Sequence, residues 1–322
     1  MPLAHPESFI FAPMRKLMTT AILFGMAFSL FYCSPKNSEE QVQTNVYPIE
    51  DSLQVMTTFP AEVDESSGLF YASNGIWTHN DSGGGAELYN VNTTAPEVLS
   101  RRIILNAGAR DWEEMADDST YLYIGDFGNN KGKRRDLTIY KLPHHLLQSD
   151  TTSITAEKII FHYPDQERFD AGAYNHNFDC EAMIAVGDSL YLFSKNHENE
   201  RCRLYSLPNS AGKYEAQLKS EFDTDGLITA ADYDPQSGVL ALLGYNVYKK
   251  VGKWQNKPFV WLIDSIPGND FFSGNAVRVN LGFEQQTEGI CFGEDGQLII
   301  SCEGEGNGFG ALYSFHYIKW LK

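Results

Sequence analysis

A strand–turn–strand unit recurs five times along this 322-residue chain and limits the folds that it can adopt. Each copy has a strand of small residues, a tight turn, a strand rich in Tyr, Phe, Ile, Leu and Val, and then a polar loop. The copies occupy residues 65–81, 111–130, 179–196, 229–246 and 287–303. A hairpin repeated in this way indicates sheets arranged around an axis, because one hairpin cannot bury its apolar faces alone.

Further strand-like runs complete each unit. Two such runs follow each of the first four copies, but only one, at residues 311–317, follows the fifth. The missing run is available near the other end of the chain, at residues 53–59. We therefore predict an all-β fold: a five-bladed β-propeller with four-stranded antiparallel blades, closed into a ring by an N-terminal strand that also covers an exposed sheet edge.

One position of each inner strand comes into register when the five copies are aligned. These positions are Ser67, Glu113, Glu181, Thr229 and Glu288. Inner strands face the propeller axis, so three carboxylates and two hydroxyls should converge in a narrow channel. Unpaired carboxylates repel one another, and a ring of oxygen ligands suits Ca²⁺ better than zinc. Two alternatives stay open: a solvated channel without metal, and Ala230 instead of Thr229 if the fourth turn is one residue shorter.

Polar loops are predicted to gather on one rim of the ring. Strands of a blade alternate in direction, so the loops that enter the first strand and leave the second lie on the same side. On this side we expect substrate-binding residues, namely His79, Asn80, Asp126, Asn129, Asn130, Lys195, Asn196, His197 and Asn246. The turns on the other side are short, which favours function on the first rim. A run of four basic residues at positions 131–135 also falls on this rim and is read either as an anion site or as a solvated loop.

The ring pattern resembles that of the soluble calcium-activated nucleotidases, or apyrases. The resemblance covers the five hairpins, from about residue 65 to 305, and implies a five-bladed propeller with Ca²⁺ held in the central channel by the five ring residues. It also places Asp81 where that family has an acidic pair before Arg-Thr-Gly. Two departures remove phosphate-binding groups: Ser82 replaces the arginine, and Lys195-Asn196 replaces a pair of arginines. The resemblance therefore supports the fold and the metal site more strongly than it supports nucleotide hydrolysis.

The first residues have the features of an export signal. Residues 1–32 are predicted to be a signal peptide, with Met14 as an alternative start, because Arg15 and Lys16 precede an apolar run. Cys33 then reads as the lipidation site of an envelope lipoprotein, residues 33–50 as a flexible tether, and residues 51–322 as the propeller. We expect an outer-membrane anchor; plain secretion is the alternative. Four other cysteines allow three pairings that the sequence does not rank.

Charge excludes some partners and leaves two classes of function. The net charge of −17 argues against nucleic acid and against membrane contact other than through the lipid, and we expect a monomer. The first hypothesis is a Ca²⁺-dependent hydrolase of a small anionic or phosphorylated substrate, with Asp81 or Glu303 as the base. The second is a non-catalytic envelope module that binds a glycan or a protein and uses the cation structurally. A lactonase-type propeller enzyme is a third, lesser reading.

Overall fold

The computed structural model describes residues 46–49, 53–82, 84–95, 99–170, 172–304 and 309–321. The predicted signal peptide, Met14 and the predicted lipidation site Cys33 lie outside the described residues. Within them, no helix has the length and apolar character needed to cross a membrane.

Short strands account for most of the described chain. The first eleven are β1 (Val46–Pro48), β2 (Gln54–Thr58), β3 (Ser66–Ala72), β4 (Gly75–Asn80), β5 (Glu87–Val91), β6 (Leu99–Ile104), β7 (Trp112–Asp117), β8 (Tyr121–Asp126), β9 (Leu137–Pro143), β10 (Ser153–Ile154) and β11 (Glu157–His162). The next twelve are β12 (Cys180–Val186), β13 (Ser189–Ser194), β14 (Cys202–Pro208), β15 (Gly212–Glu215), β16 (Gln217–Phe222), β17 (Leu227–Asp234), β18 (Val239–Lys250), β19 (Lys253–Asp264), β20 (Asn275–Asn280), β21 (Thr287–Phe292), β22 (Gln297–Cys302) and β23 (Ala311–His316). Three 3₁₀ helices span His144–Gln148, Glu294–Gly296 and Ile318–Trp320.

These strands form five blades, which confirms the predicted fold class. In order from the inner strand outwards, the blades are β3-β4-β5-β6, β7-β8-β9-β11, β12-β13-β14-β16, β17-β18-β19-β20 and β21-β22-β23-β2. Each inner strand contacts the inner strand of the next blade, and the fifth contacts the first. Strand β2 pairs antiparallel with β23, so the N-terminal strand closes the fifth blade as predicted.

Three blades carry an additional parallel strand on the outer edge. Strands β10, β15 and β1 pair with β6, β11 and β20 respectively. An added strand satisfies backbone groups that an open edge would expose. Strand β1 falls inside the predicted tether of residues 33–50, so regular structure on this propeller begins earlier in the chain than residue 51.

The fourth blade departs from the prediction in its length. A loop was expected at Tyr245 and Asn246, but β18 continues to Lys250 and pairs with β19 from Lys253 onwards. The result is a β18–β19 hairpin that extends beyond Tyr245, the last residue of β18 that pairs with the inner strand β17. Alternation of polar and apolar residues does not distinguish such an extension from a loop, because both of its faces are largely solvated.

Apolar side chains fill the spaces between neighbouring blades in five clusters. Trp77 and Trp112 are fully buried in the cluster between the first two blades. The cysteines at 180, 202, 291 and 302 are also buried, and none of these four is joined to another in a disulfide. The fold is therefore held by packing between blades, with no disulfide among the described residues.

Glycine allows the inner strands to approach closely. A methyl group on Gly68 would lie inside van der Waals distance of the Met115 backbone nitrogen in the next blade. The same substitution at Gly289 would bring a methyl group against the Ser67 carbonyl. In both cases the obstructing atoms are backbone, which cannot rotate away.

We expect Gly68→Ala to lower the free energy of unfolding by about 1–3 kcal/mol through overpacking. Chemical denaturation followed by circular dichroism measures the change. Gly108→Ala is the matched control, because its methyl group would meet only the Tyr140 hydroxyl, at 3.9 Å. Equal stability of the two variants would contradict close packing of the inner strands.

Candidate functional site

A β-bulge interrupts the hairpin of every blade at the predicted ring position. In four blades the extra, unpaired residue is Glu113, Glu181, Thr229 or Glu288. In the first blade the bulge spans Ser67 and Gly68. Bulges change the direction of a side chain, so five equivalent bulges direct five equivalent side chains. Ala230 pairs with Leu243 in the regular ladder, and the bulged residue of the fourth blade is therefore Thr229.

The two hydroxyls of this ring join neighbouring blades. Ser67 Oγ donates to the Glu113 carbonyl at 2.7 Å, and Thr229 Oγ1 donates to the Thr287 carbonyl at 2.7 Å. Each hydroxyl thus links one inner strand to the next. The carboxylates of Glu113, Glu181 and Glu288 are at least nine-tenths buried and are left as the charged members of the ring.

A second tier of side chains lies directly after the second strand of the first, third and fifth blades. The backbone N–H groups of Asp81, Lys195 and Glu303 donate to carbonyls two residues before the ring position, those of Glu65, Asp179 and Gln286. The shared backbone contact makes these three positions equivalent. The two predicted catalytic residues and one predicted rim residue therefore occupy the same place in three different blades.

Lys195 brings a positive charge into the ring. Its Nζ lies 3.0 Å from Glu181 Oε2, and both side chains are less than one-tenth exposed. Burial alone would lower the pKa of Lys195, but Glu181, Tyr245 and Glu288 raise it well above its usual range. Burial raises the pKa of Glu181 to about 7 even with Lys195 opposing it. Lys195 remains protonated and neutralises this side of the ring.

The other side of the ring has no such cationic partner among the residues that the structure describes. Carboxylate oxygens of Asp81, Asp111 and Glu113 all lie within 4.8 Å of one another, where the first two blades meet. Among the described residues nothing donates a hydrogen bond to the Glu113 carboxylate, although Glu113 is only 4% exposed. Asp81 Oδ1 is also buried without a partner. Buried carboxylates in this condition need a cation or a proton.

Gly128 forms the wall of this cluster. A side chain at this position would overlap Glu113 Oε1 and the Asp111 carboxylate, so the backbone itself borders the carboxylates. Its N–H donates to the Asp111 carbonyl at 3.2 Å. The unpartnered carboxylate oxygens that border Gly128 fit an oxygen-liganded divalent cation.

Electrostatic repulsion within the cluster is strong. Burial, followed by the charges of Glu181 and Asp111, raises the pKa of Asp81 to about 8. Burial and then Glu181 and Asp81 raise the pKa of Glu113 well above its usual range. For Asp111 burial and Glu181 raise the pKa, while Arg134 opposes them. A positively charged ligand would therefore stabilise the cluster by relieving the repulsion between its carboxylates.

Several predicted rim residues support the loops. Asp126 forms a buried ion pair with Arg134, 2.9 Å from the Arg134 Nη2 atom. Asn129 accepts from the Arg134 N–H through Oδ1, and the Asn130 carbonyl accepts from the Tyr174 N–H. Asn80 Nδ2 donates to the Glu62 carbonyl at 2.9 Å. These contacts hold the loops around the acidic cluster.

His79 and Asn246 lie away from the predicted rim surface. His79 is fully buried, and its ring contacts Trp112 edge-on with centroids 5.4 Å apart. Burial lowers the pKa of His79 to about 4, so it is a neutral core residue. Asn246 lies within β18 and accepts from Arg278 Nη2 in a side cleft. Both residues differ from the prediction because the second strands of their blades, β4 and β18, continue through positions where loops were expected.

Asp179 organises the loop of the third blade. Its Oδ1 accepts from the Asn129 N–H at 2.6 Å, and its Oδ2 lies 3.1 Å from His197 Nε2. Burial lowers the pKa of His197 to about 4, so a neutral imidazole donates this bond. Asn196 accepts from Ser194 Oγ at 2.7 Å. His197 is thus oriented by a fully buried carboxylate.

Glu114 closes the channel beneath the ring. It is fully buried, and its Oε2 accepts from the Ala231 N–H, across the axis on the fourth blade, at 2.8 Å. Its Oε1 accepts from the Met115 N–H at 2.8 Å. The cluster is therefore approached from the predicted rim.

A basic cleft of about 510 Å³ adjoins the cluster on this rim. It contains Asp111 itself and the cations of Arg110, Lys131, Lys133 and Arg134. Lys131 and Lys133 are exposed and have no ion pair among the described residues, whereas Arg134 is engaged with Asp126. The cleft thus combines two ammonium groups that form no ion pair among the described residues with Asp111, one of the three clustered carboxylates.

Asp111 and Asp179 were not predicted as site residues. Both precede a ring glutamate by two positions, in Asp111-Trp112-Glu113 and Asp179-Cys180-Glu181. This repeated Asp-x-Glu spacing was the available signal. Side chains two apart on a regular strand share a face, and the bulge between them brings the two carboxylates together at the axis.

No protein-family model matches the chain, and no curated protein matches it. Solved structures resemble it at low identity. A Bombyx mori GH32 beta-fructofuranosidase in complex with sucrose matches with a TM-score of 0.45 and 11% identity, over 79% of this chain and 60% of that one. Pseudomonas fluorescens PhoX in complex with vanadate, a transition state analogue, matches with a TM-score of 0.42 and 11% identity, over 73% and 58%.

Citrobacter koseri AztD matches with a TM-score of 0.35 and 9% identity, over 73% of this chain and 69% of that one. The chain spans about three fifths of the length of the first two structures. These likenesses concern the fold and carry no argument about activity.

A double-mutant cycle tests the role of Lys195. Lys195→Met leaves Glu181 buried without its partner, and we expect a loss of about 3–5 kcal/mol in the free energy of unfolding. Lys195→Met/Glu181→Gln should lose less than the sum of the two single changes, as measured by chemical denaturation. The exposed pair Lys250–Glu284 provides the control cycle, for which we expect a smaller coupling. Additive effects at Lys195 and Glu181 would contradict the pair.

Proposed function

We propose that this protein is a divalent-cation-dependent hydrolase of a small phosphorylated substrate, presented in the cell envelope by a lipid at Cys33. The observation that carries the proposal is that Asp111 belongs both to the acidic cluster, with Asp81 and Glu113, and to the lining of the basic cleft, with Lys131 and Lys133. A metal site and an anion site side by side fit a substrate that bridges them. The proposal includes a monomer, since the site is built within one chain.

Ca²⁺ is the proposed cation, and three carboxylates are proposed to hold it. Asp81, Asp111 and Glu113 offer only oxygen ligands, and hard cations prefer such ligands. Bound there, the cation would polarise a substrate oxygen. Glu181 is paired with Lys195, and the Ser67 and Thr229 hydroxyls donate to backbone carbonyls. The proposed ligand set is therefore displaced from the ring centre toward the first two blades.

Glu303 is the proposed general base. Asp81, the other sequence candidate, is part of the proposed ligand set. Burial raises the pKa of Glu303, with a further contribution from Glu65, while Lys195 opposes both. A carboxylate with a raised pKa is a better proton acceptor near neutral pH.

The substrate class follows from the cleft. Lys131 and Lys133 are not needed to stabilise the loop, because Arg134 already joins Gly128 and Asp126 through their carbonyls. Ammonium groups without partners in a protein of net charge −17 attract phosphate, and each contact is charge-assisted. A volume of about 510 Å³ accommodates a small molecule rather than a polymer.

A non-catalytic envelope module is the second candidate. It is favoured by the pairing of Lys195 with Glu181, which places a fixed lysine where hydrolysis would gain from an arginine fork. In this case the cation only stabilises the junction of the first two blades, and the rim binds an anion or a glycan without changing it. The lactonase-type reading has no observation that favours it over these two.

Thermal unfolding with chelator and then with added Ca²⁺ tests the metal site. A ligand that binds only the folded state at about 100 times its Kd adds about 2.7 kcal/mol, so the midpoint should rise. We expect the rise to disappear in Asp111→Asn and Glu113→Gln. Glu288→Gln, a buried ring change on another blade, should keep it. An equal loss of the Ca²⁺-dependent rise in Glu288→Gln would indicate that all the ring carboxylates bind the cation. No rise in the unchanged protein would overturn the proposed metal site.

Steady-state hydrolysis of phosphate monoesters tests the basic cleft. Lys131→Ala/Lys133→Ala should lower kcat/KM at least about tenfold per lysine, mainly through KM, because each charge-assisted contact is worth about 1.5–3 kcal/mol. The exposed pair Lys213→Ala/Lys219→Ala, on the outer strands β15 and β16, is the matched control. Retained Ca²⁺ binding with no turnover of any ester would select the binding module instead.

A further inference from the structure

The extended hairpin of the fourth blade has a regular geometry. Pairing continues from Asn246 opposite Lys257 to Lys250 opposite Lys253. Val251 and Gly252 form the turn with φ angles of 49° and 78°, the positive values of a tight hairpin turn. Tyr248 Oη, in the middle of the hairpin, donates to Glu284 at 2.6 Å, and Lys250 Nζ, next to the turn, lies 2.7 Å from the same carboxylate. These contacts tie the hairpin to the loop that follows β20 and fix its direction.

The hairpin exposes three apolar side chains to solvent. Val251 at the tip is 99% exposed, Trp254 is 66% exposed and Val247 is 43% exposed. Val247 and Lys249 alternate with inward residues on β18, and Lys249 pairs across the hairpin with Trp254, so these three share one face. The Lys249 Nζ lies 4.8 Å from the Trp254 ring centroid. None of this apolar surface packs against the propeller.

The charge of the hairpin is opposite to that of the chain. Residues 246–257 contain four lysines and no acidic residue, while the whole chain carries −17. Lys249 and Lys253 form no ion pair among the described residues. An acidic body would be repelled by an anionic surface, but the hairpin extends about 15 Å from its base at about 3.3 Å per residue. That length exceeds the screening length of about 8 Å at physiological salt, so the tip meets such a surface first.

We propose that this hairpin docks on an anionic lipid bilayer, as a membrane contact separate from the predicted lipid anchor. Trp prefers the membrane–water interface, and lysines beside it reach anionic headgroups. A soluble polyanion would use the lysines but would leave Val251 and Trp254 in water, so the apolar tip favours lipid.

Fluorescence quenching by lipids with brominated acyl chains tests the contact in the full chain. The difference between the unchanged protein and Trp254→Phe isolates the signal of Trp254. We expect this signal to be quenched on vesicles containing phosphatidylglycerol and to recover at high salt or on pure phosphatidylcholine. A lipid on Cys33 would hold the protein on both kinds of vesicle, and only docking of the hairpin would quench Trp254.

Charge reversal supplies the matched comparison. Lys249→Glu/Lys253→Glu should lower the docking equilibrium at least about 20-fold, because each lysine near an anionic surface is worth about fivefold. Lys213→Glu/Lys219→Glu makes the same change in net charge elsewhere and should leave the quenching intact, with thermal midpoints confirming the fold of both variants. Trp254 left unquenched on anionic vesicles would overturn the proposal, as would equal losses in the two pairs. Binding to heparin without quenching by vesicles would overturn it in favour of a polyanion.

Discussion

Five β-bulges at the axis determine what the rest of this propeller can do. Each bulge directs one side chain of an inner strand toward the channel, and the residue after it must be small because the next inner strand is in contact. Four blades satisfy this with Gly68, Ala182, Ala230 and Gly289. The second blade has Glu114 instead, and its carboxylate spans the axis to the Ala231 N–H. The exception thus places a buried carboxylate across the channel, where the other four blades have a methyl group or a hydrogen atom.

The carboxylates buried at the axis are neutralised on one side of the ring and not on the other, and this electrostatic difference defines the candidate metal site. Isolated buried charges cost several kcal/mol each, and a partner with good geometry offsets part of that cost. Lys195 offsets it for Glu181, in the third blade. Within the part of the chain that the structure describes, no equivalent lysine pairs with Asp81, Asp111 or Glu113, and the pKa of each is raised. The uncompensated charge is therefore concentrated where the first two blades meet, next to the cleft that contains the free lysines.

The sequence was informative wherever a feature repeats. Five hairpins of similar length predicted the blades, the closing strand and the ring register, including Thr229, because a fivefold alignment averages over single ambiguous positions. Features that occur once were harder to predict. The contact between Lys195 and Glu181 depends on a bulge angle, and strand β1 depends on pairing with a distant blade. Asp111 needed both the Asp-x-Glu repeat and the bulge that turns the two carboxylates toward each other.

Unpaired cations are informative in a chain with 42 acidic and 25 basic residues. Acidic partners are in excess, so a lysine without one is not explained by a shortage of carboxylates. Arg134, Arg278 and Lys195 are all engaged by carboxylates or carbonyls and serve the fold. Lys131 and Lys133 stand beside a metal-type cluster, and Lys249 and Lys253 stand beside exposed apolar side chains. The neighbours differ, so the ligands should differ: a compact phosphate in the cleft, and at the hairpin a surface that offers negative charge and an apolar layer together.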